Sequence, residues 1–287
     1  TEAAPRVELR TTADGTTRFL PDAMTVPVQG GGADDWTVTV AVGDAVADAA
    51  FTRGTERVEL TVDAPGGVDG AVPLDLHFLL DATGSMGDEI ARLRDNMSEI
   101  ARRIDALPTA PDVRFGMTVY RDEGDLFITR TFDLTDDLDD FLAALDVVEA
   151  DGGGDYPEAL DEALAAALEA PAWRRDGAVE LIVLVADAPP QIARPVETTT
   201  ADSALLAAER GVKILPVAAS GTDDQAEYVM RELAFVTGGR IVFLSYAVGG
   251  TATGGGTDIG PADYDELPLD ELVVRLVADE NEALTAQ

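Results

Sequence analysis

From residue 74 onward the chain alternates short, continuously apolar runs with longer stretches whose apolar residues recur at helical spacing. That rhythm constrains the fold more than any other feature. A strand that returns through a helix comes back parallel to where it started, and a parallel sheet must be covered on both faces. Residues 74–80 and 179–185 have the length and apolarity of buried strands. Residues 86–107 set Ile90, Leu93, Met97, Ile100 and Ile104 on one helical stripe. Residues 113–120 and 126–132 are strand-like with a short connection, which predicts a hairpin. Residues 136–148, 157–170, 201–210, 224–236 and 267–279 read as helices, and 212–217 and 240–244 as further strands. Pro157 is expected in the first turn of its helix, where a missing N–H costs nothing. The expected class is α/β: a doubly wound, mostly parallel sheet over residues 73–287, with the Gly-rich stretch 248–263 as a loop.

Residues 1–72 show no helical period. Residues 6–10, 36–42 and 57–62 alternate polar with apolar, as half-buried strands do, and turn clusters such as Gly30-Gly31-Gly32 separate them. These features predict a small all-β domain over 1–72, with the segment from Asp63 to Gly67 as linker. Thr11-Thr12-Ala13-Asp14-Gly15 followed by Phe19-Leu20-Pro21 resembles carboxypeptidase-regulatory-like and other Ig-like β-sandwich modules of bacterial surface proteins. The resemblance implies a sandwich, and a surface or secreted setting for the whole chain; a cytoplasmic setting is the alternative.

The 287 residues carry 55 acids against 20 bases, a formal net charge of −35. Such a chain does not suit nucleic acid, whose phosphates need a basic patch. Either the acids adapt the surface to high salt, or they form a specific acidic face; their spread along the whole chain favours halophilic adaptation. With no cysteine, disulfides, thiolate metal sites and thiol nucleophiles are excluded. No apolar run is long enough for a transmembrane helix, and Thr1 opens a polar segment without a leader pattern.

Ligands of open α/β sheets sit beyond the carboxyl ends of the strands. Three acidic loops fall there: Asp81-Ala-Thr83-Gly-Ser85, continuing to Asp88 and Glu89; Asp151-Gly-Gly-Gly-Asp155-Tyr-Pro157-Glu158; and Ala186-Asp187-Ala-Pro-Pro190. Carboxylates mixed with small hydroxyls are oxygen donors, which suit a hard cation. The alternate spacing of Asp81, Thr83 and Ser85 can turn three side chains toward one point as strand passes into helix, and Asp187 can complete the shell from the neighbouring strand. Read without that cation, the first loop would simply cap the helix that follows.

The three loops, in this order and with these elements between them, resemble the metal-ion-dependent adhesion site of von Willebrand factor A domains over roughly residues 74–284. The resemblance implies a module that binds a protein partner, not an enzyme. A divalent ion (Mg²⁺, or Mn²⁺ or Ca²⁺) would be held by Asp81, Thr83, Ser85, Glu158 and Asp187, and an Asp or Glu of the partner would complete its coordination. Where many members of that family have threonine in the second loop, Gly154 stands here; Asp155-Tyr-Pro157-Glu158 is closer to the I-like domains of integrin β subunits. That likeness implies one or two adjacent Ca²⁺ sites, one at Asp88 and Glu89, and one at Asp122 with Asp155 and the Pro157 carbonyl. Asp88 and Glu89 equally fit a helix's first turn, where the dipole favours acids, and Asp122 equally fits a solvated loop.

Two other readings remain. An intracellular von Willebrand A subunit of a chelatase or ATPase complex would share the same loops. A haloacid-dehalogenase-like Mg²⁺-dependent phosphatase would use Asp81 as nucleophile, but it needs a second Asp where Thr83 stands, and Lys213, the one lysine, precedes a buried strand. Neither a phosphate-binding loop nor a Gly-x-Ser-x-Gly elbow is present. His77, the one histidine, lies within an apolar strand and reads as core, and Trp173 with its neighbouring arginines reads as the cover of a helix end.

Overall fold

The structure is a computed structural model that describes residues 7–24, 34–64, 70–154, 156–175, 177–219, 221–244 and 266–285. Contacts divide the chain into two units: Phe19–Asp69 belongs to the first, and Leu9–Arg18 groups with Gly70–Ala286 in the second.

In the first unit a short helix, α1 (Pro21–Met24), precedes an antiparallel pair, β1 (Asp35–Val42) and β2 (Ala45–Thr52). Phe19, Trp36 and Phe51 form its aromatic centre, with ring centroids 5.7–6.0 Å apart. Neither 7–10 nor 57–62 is a strand, so the described residues of the first unit contain one hairpin and not a two-sheet sandwich. Alternation makes a strand only where another backbone is there to pair with it. Arg10 instead donates its N–H to Glu209, and among the described residues no strand pairs with 57–62.

The second unit is the expected α/β body. Its strands are β3 (Pro73–Asp81), β4 (Asp112–Tyr120), β5 (Thr129–Thr135), β6 (Val179–Ala186), β7 (Lys213–Ala218), β8 (Val242–Leu244) and β9 (Glu266–Leu267). They form one sheet in the order β5-β4-β3-β6-β7-β8-β9, parallel throughout except for the β4–β5 hairpin. The helices are α2 (Gly87–Asp105), α3 (Leu138–Asp146), α4 (Leu160–Glu169), α5 (Thr200–Arg210), α6 (Asp224–Thr237) and α7 (Leu269–Thr285). Leu74, Leu76, Phe78 and Leu80 of β3 join the core shared with α2, α3 and α7. The alternate residues face the other layer, where His77 lies 5.6 Å from Trp173 and Trp173 donates to the Ala167 carbonyl near the end of α4.

Local chemistry starts and stops these helices. Asp137 caps α3, Thr199 and Asp202 close a capping box on α5, and Asp223 caps α6. Gly211 and Gly238 end α5 and α6 in the left-handed region. One start differs from expectation: α4 begins at Leu160 and not at Pro157. Glu158 instead donates its N–H to Pro189 and bridges to Pro190, which holds it in an extended pairing incompatible with a helical turn. The stretch 248–263 lies outside the described residues.

Candidate metal centre

The chain order places β4 on one side of β3 and brings β6 back on the other, so the carboxyl ends of these three strands meet at the point where the winding reverses. Asp81 pairs in register with Tyr120, and Leu80 with Val185. Asp122, Asp81 and Asp187 therefore emerge side by side along the top of the sheet, each 5 % exposed or less.

Asp81 is fixed chiefly by Thr83, with the buried Tyr120 hydroxyl beside it. The Asp81 Oδ1 accepts from the Thr83 N–H at 2.9 Å and the Thr83 hydroxyl at 2.7 Å, whereas Oδ2 is buried without a partner. The Thr83 hydroxyl lies 3.4 Å from that of Ser85, which hydrogen-bonds Asp187. Glu158, 4 % exposed, likewise keeps a buried Oε2 without a partner. These five residues, Asp81, Thr83, Ser85, Glu158 and Asp187, thus form one oxygen-lined cluster.

Its electrostatics are unbalanced. Burial and the neighbouring carboxylates of Asp81, Asp122, Asp125 and Asp187 push Glu158 up to about 9. Burial pushes Asp81 up to about 7 against hydrogen bonds from Thr83 and Tyr120, with Asp187 adding to the rise. Asp187 is also raised, by burial. A buried group of acids with no compensating cation is costly, and that cost raises the proton affinity of each. Among the described residues no three His, Cys, Asp or Glu side chains gather into a metal-holding group by themselves. An ion here would therefore rest on hydroxyl and water oxygens as well as carboxylates. The donor chemistry and the two orphaned oxygens fit a hard divalent cation.

Backbone contacts explain why the loops meet. Gly84 donates to the Gly152 carbonyl and Asp151 to the Ala82 carbonyl. Gly153 (φ +76°) leaves no room for a side chain: a Cβ there would stand 2.8 Å from Glu158 Oε1 and 2.9 Å from the Thr83 Cβ. Gly152 (φ +83°) would collide with the Asp125 carboxylate, whose Oδ2 accepts from the Asp122 and Gly153 N–H groups. Glycine is required at both positions by conformation and by space.

Of the other residues expected at metal sites, Asp88 is exposed and Glu89 buried at the start of α2. Glu89 is raised by burial, with Asp187 and Asp88 adding. Asp122 lies beside the Pro157 carbonyl, both of them facing the Gln191 amide. Asp155 lies outside the described residues.

Three supporting residues had no signal in the sequence. Buried Arg121 donates to the Ala82 carbonyl (3.2 Å) and the Glu149 carbonyl (2.7 Å), and its guanidinium stacks 4.7 Å from the Phe127 ring, tying the first loop to the second. The Tyr156 hydroxyl donates toward the Asp187 carbonyl (2.9 Å) and accepts from the Asp223 N–H (3.1 Å), tying the second loop to the third. Gln191 is the third. An arginine, a tyrosine and a glutamine in polar loops look the same whether solvated or locked; only the fold shows what they hold.

Residues 75–247 match the von Willebrand factor type A domain. A putative ariadne-like RING finger protein, R811, of Acanthamoeba polyphaga mimivirus is 25% identical over 193 residues, which is 62% of this chain and 19% of that protein. Proximal thread matrix protein 1 from the mussel byssus, in a structure with a zinc-occupied MIDAS motif, is 16% identical with a TM-score of 0.52, over 75% of this chain and 47% of that one. A second structure of the mussel protein gives 15% identity and a TM-score of 0.50, over 76% and 47% of the two chains. The chain spans less than half the length of each of these relatives. The likeness to the mussel protein is one of fold.

Proposed function

The chain belongs to the von Willebrand factor type A domain family, and from that premise we propose that it binds a protein partner through a divalent ion held by Asp81, Thr83, Ser85, Glu158 and Asp187. One observation carries the reading: the buried Asp81 Oδ2 and Glu158 Oε2 have no partner, in a cluster whose charges are all negative. The zinc-occupied MIDAS motif of the mussel protein supports it. An ion bound there neutralises the cluster and presents an electrophilic position, for which an Asp or Glu carboxylate of the partner is the matching ligand. Ser85 is the exposed member of the set, which supports an open position on the solvent side. Mg²⁺ suits the mixed hydroxyl and carboxylate donors, with Mn²⁺ or Ca²⁺ as substitutes. We place the protein at a cell surface or outside the cell. No described helix is long and apolar enough to cross a membrane.

The phosphatase reading finds no support in the placement of Lys213. It opens β7, at the end of the sheet away from Asp81, and its Nζ is engaged by Glu280 at 2.6 Å and Asp14 at 3.5 Å. It is not available to a substrate at Asp81. Titration calorimetry with Mg²⁺, Mn²⁺ and Ca²⁺ tests the binding site. Asp81→Ala is expected to weaken binding about a hundredfold or more, beyond the loss typical of a supporting residue. Equal binding by both proteins overturns the assignment.

A further inference from the structure

Gln191 follows the Pro189–Pro190 turn, whose pairing with Glu158 sets it beside the second loop. Its Nε2 lies 2.7 Å from the Pro157 carbonyl and 3.4 Å from each carboxylate oxygen of Asp122. The nitrogen must be the atom that points there, because the amide oxygen would otherwise face three oxygens. Asp122 is 5 % exposed, and neighbouring Glu158, 4 % exposed, feels the Asp122 and Asp125 charges and keeps its Oε2 without a partner. A carbonyl and a buried carboxylate facing one point are oxygens of the kind that surround a hard cation. In this chain a neutral NH₂ group with two donor hydrogens stands at that point.

We propose that the Gln191 amide takes the place of a second cation, so that the chain holds a single divalent ion, at the Asp81–Asp187 cluster. The proposal rests on the reading of that cluster as the first ion's site. The amide gives Asp122 and the Pro157 carbonyl a donor that does not depend on metal concentration. It thereby fixes Glu158, the next residue, relative to Asp81 before any ion arrives. Gln191→Glu keeps the shape and replaces the donor by a further carboxylate, whose repulsion toward Asp122 and Glu158 a bound cation relieves beyond what Arg194, already engaged by Glu162, supplies.

Calcium calorimetry on the full chain tests this, with near-ultraviolet circular dichroism to confirm folding. The wild type is expected to bind one Ca²⁺ and Gln191→Glu two. Adding Asp122→Asn to Gln191→Glu is expected to remove the second ion, whereas Asp81→Asn removes the first. If Gln191→Glu does not fold, Gln191→Ala carries the test: a second, weaker Ca²⁺ upholds the proposal and its absence overturns it. A wild type that already binds two ions, one of them lost in Asp122→Asn, overturns it, as does a folded Gln191→Glu that gains none. A wild type that binds none, beside a Gln191→Glu that binds one through Asp122, upholds the amide's role and defeats the first site. No ion in either defeats both.

Discussion

Freed of divalent ions, the protein is expected to lose thermal stability as pH rises from about 5 to about 9, and saturating Mg²⁺ or Mn²⁺ is expected to abolish most of that loss. Glu158 is raised to about 9 and Asp81 to about 7, with Asp187 and Glu89 raised as well. A carboxyl whose folded pKa exceeds its unfolded value binds more protons folded than unfolded between the two. Its contribution is therefore most favourable below the unfolded value, near 4, and is lost as pH climbs through the folded value. A divalent ion replaces the protons, because its ligands must be ionised. At a hundredfold excess over its dissociation constant it adds about 2.7 kcal/mol. In a domain of this size that is a rise of roughly 5–10 °C in melting temperature, larger at pH 8 than at pH 5. Glu180, raised to about 7 by burial at the opposite end of β6, contributes a slope that the ion leaves in place. Thermal melts across this range with EDTA and with Mg²⁺ check the claim. Parallel curves would mean that no ion couples to these carboxylates.

A second large effect is expected from salt. The formal net charge of −35 comes with acids crowded on exposed surfaces: Asp88, Asp95 and Glu99 on α2, and Asp136, Asp137, Asp139, Asp140 and Asp146 around α3. Only part of this charge is paired at the surface, as between Arg102 and Glu99, and such exposed pairs contribute little. Self-repulsion of this sign destabilises the compact state, whose net stability is only about 5–15 kcal/mol. Raising KCl from 0.1 M to 1 M shortens the screening length from about 10 Å to about 3 Å, so the melting temperature is expected to climb steadily. The climb should persist in Asp81→Ala, which separates it from ion binding at the cluster. A melting temperature indifferent to KCl would instead assign the acids to a specific face.

The α/β body was legible because burial on both faces leaves β3 and β6 mostly apolar, with Asp75, His77 and Glu180 as the exceptions, and amphipathic α2 shows its stripe directly. The meeting of the three acidic loops was legible for a related reason: in an open α/β sheet the loops beyond the strands' carboxyl ends come together. What failed was where pairing, not pattern, decides. Residues 57–62 alternate as a strand does yet have no strand partner among the described residues, and Pro157 looks like a helix opener while Glu158 is claimed by Pro189 and Pro190. Leu9–Arg18 joins the second unit through contacts such as Arg10 with Glu209, which no local pattern announces. Arg121, Tyr156 and Gln191 act through backbone carbonyls brought near by the fold, and a carbonyl has no sequence signature.

The central claim is that a divalent ion sits on the Asp81–Asp187 cluster with one coordination position open to a partner's carboxylate. Its most direct test is a crystal structure with Mn²⁺, located by anomalous scattering, first alone and then with a carboxylate such as acetate. The expected result is one ion contacting Ser85 and the Asp81 cluster, directly or through water, with a water at its solvent-facing position that the carboxylate replaces. An ion enclosed wholly by protein oxygens, and unchanged by the carboxylate, would contradict the account and leave a structural metal in its place.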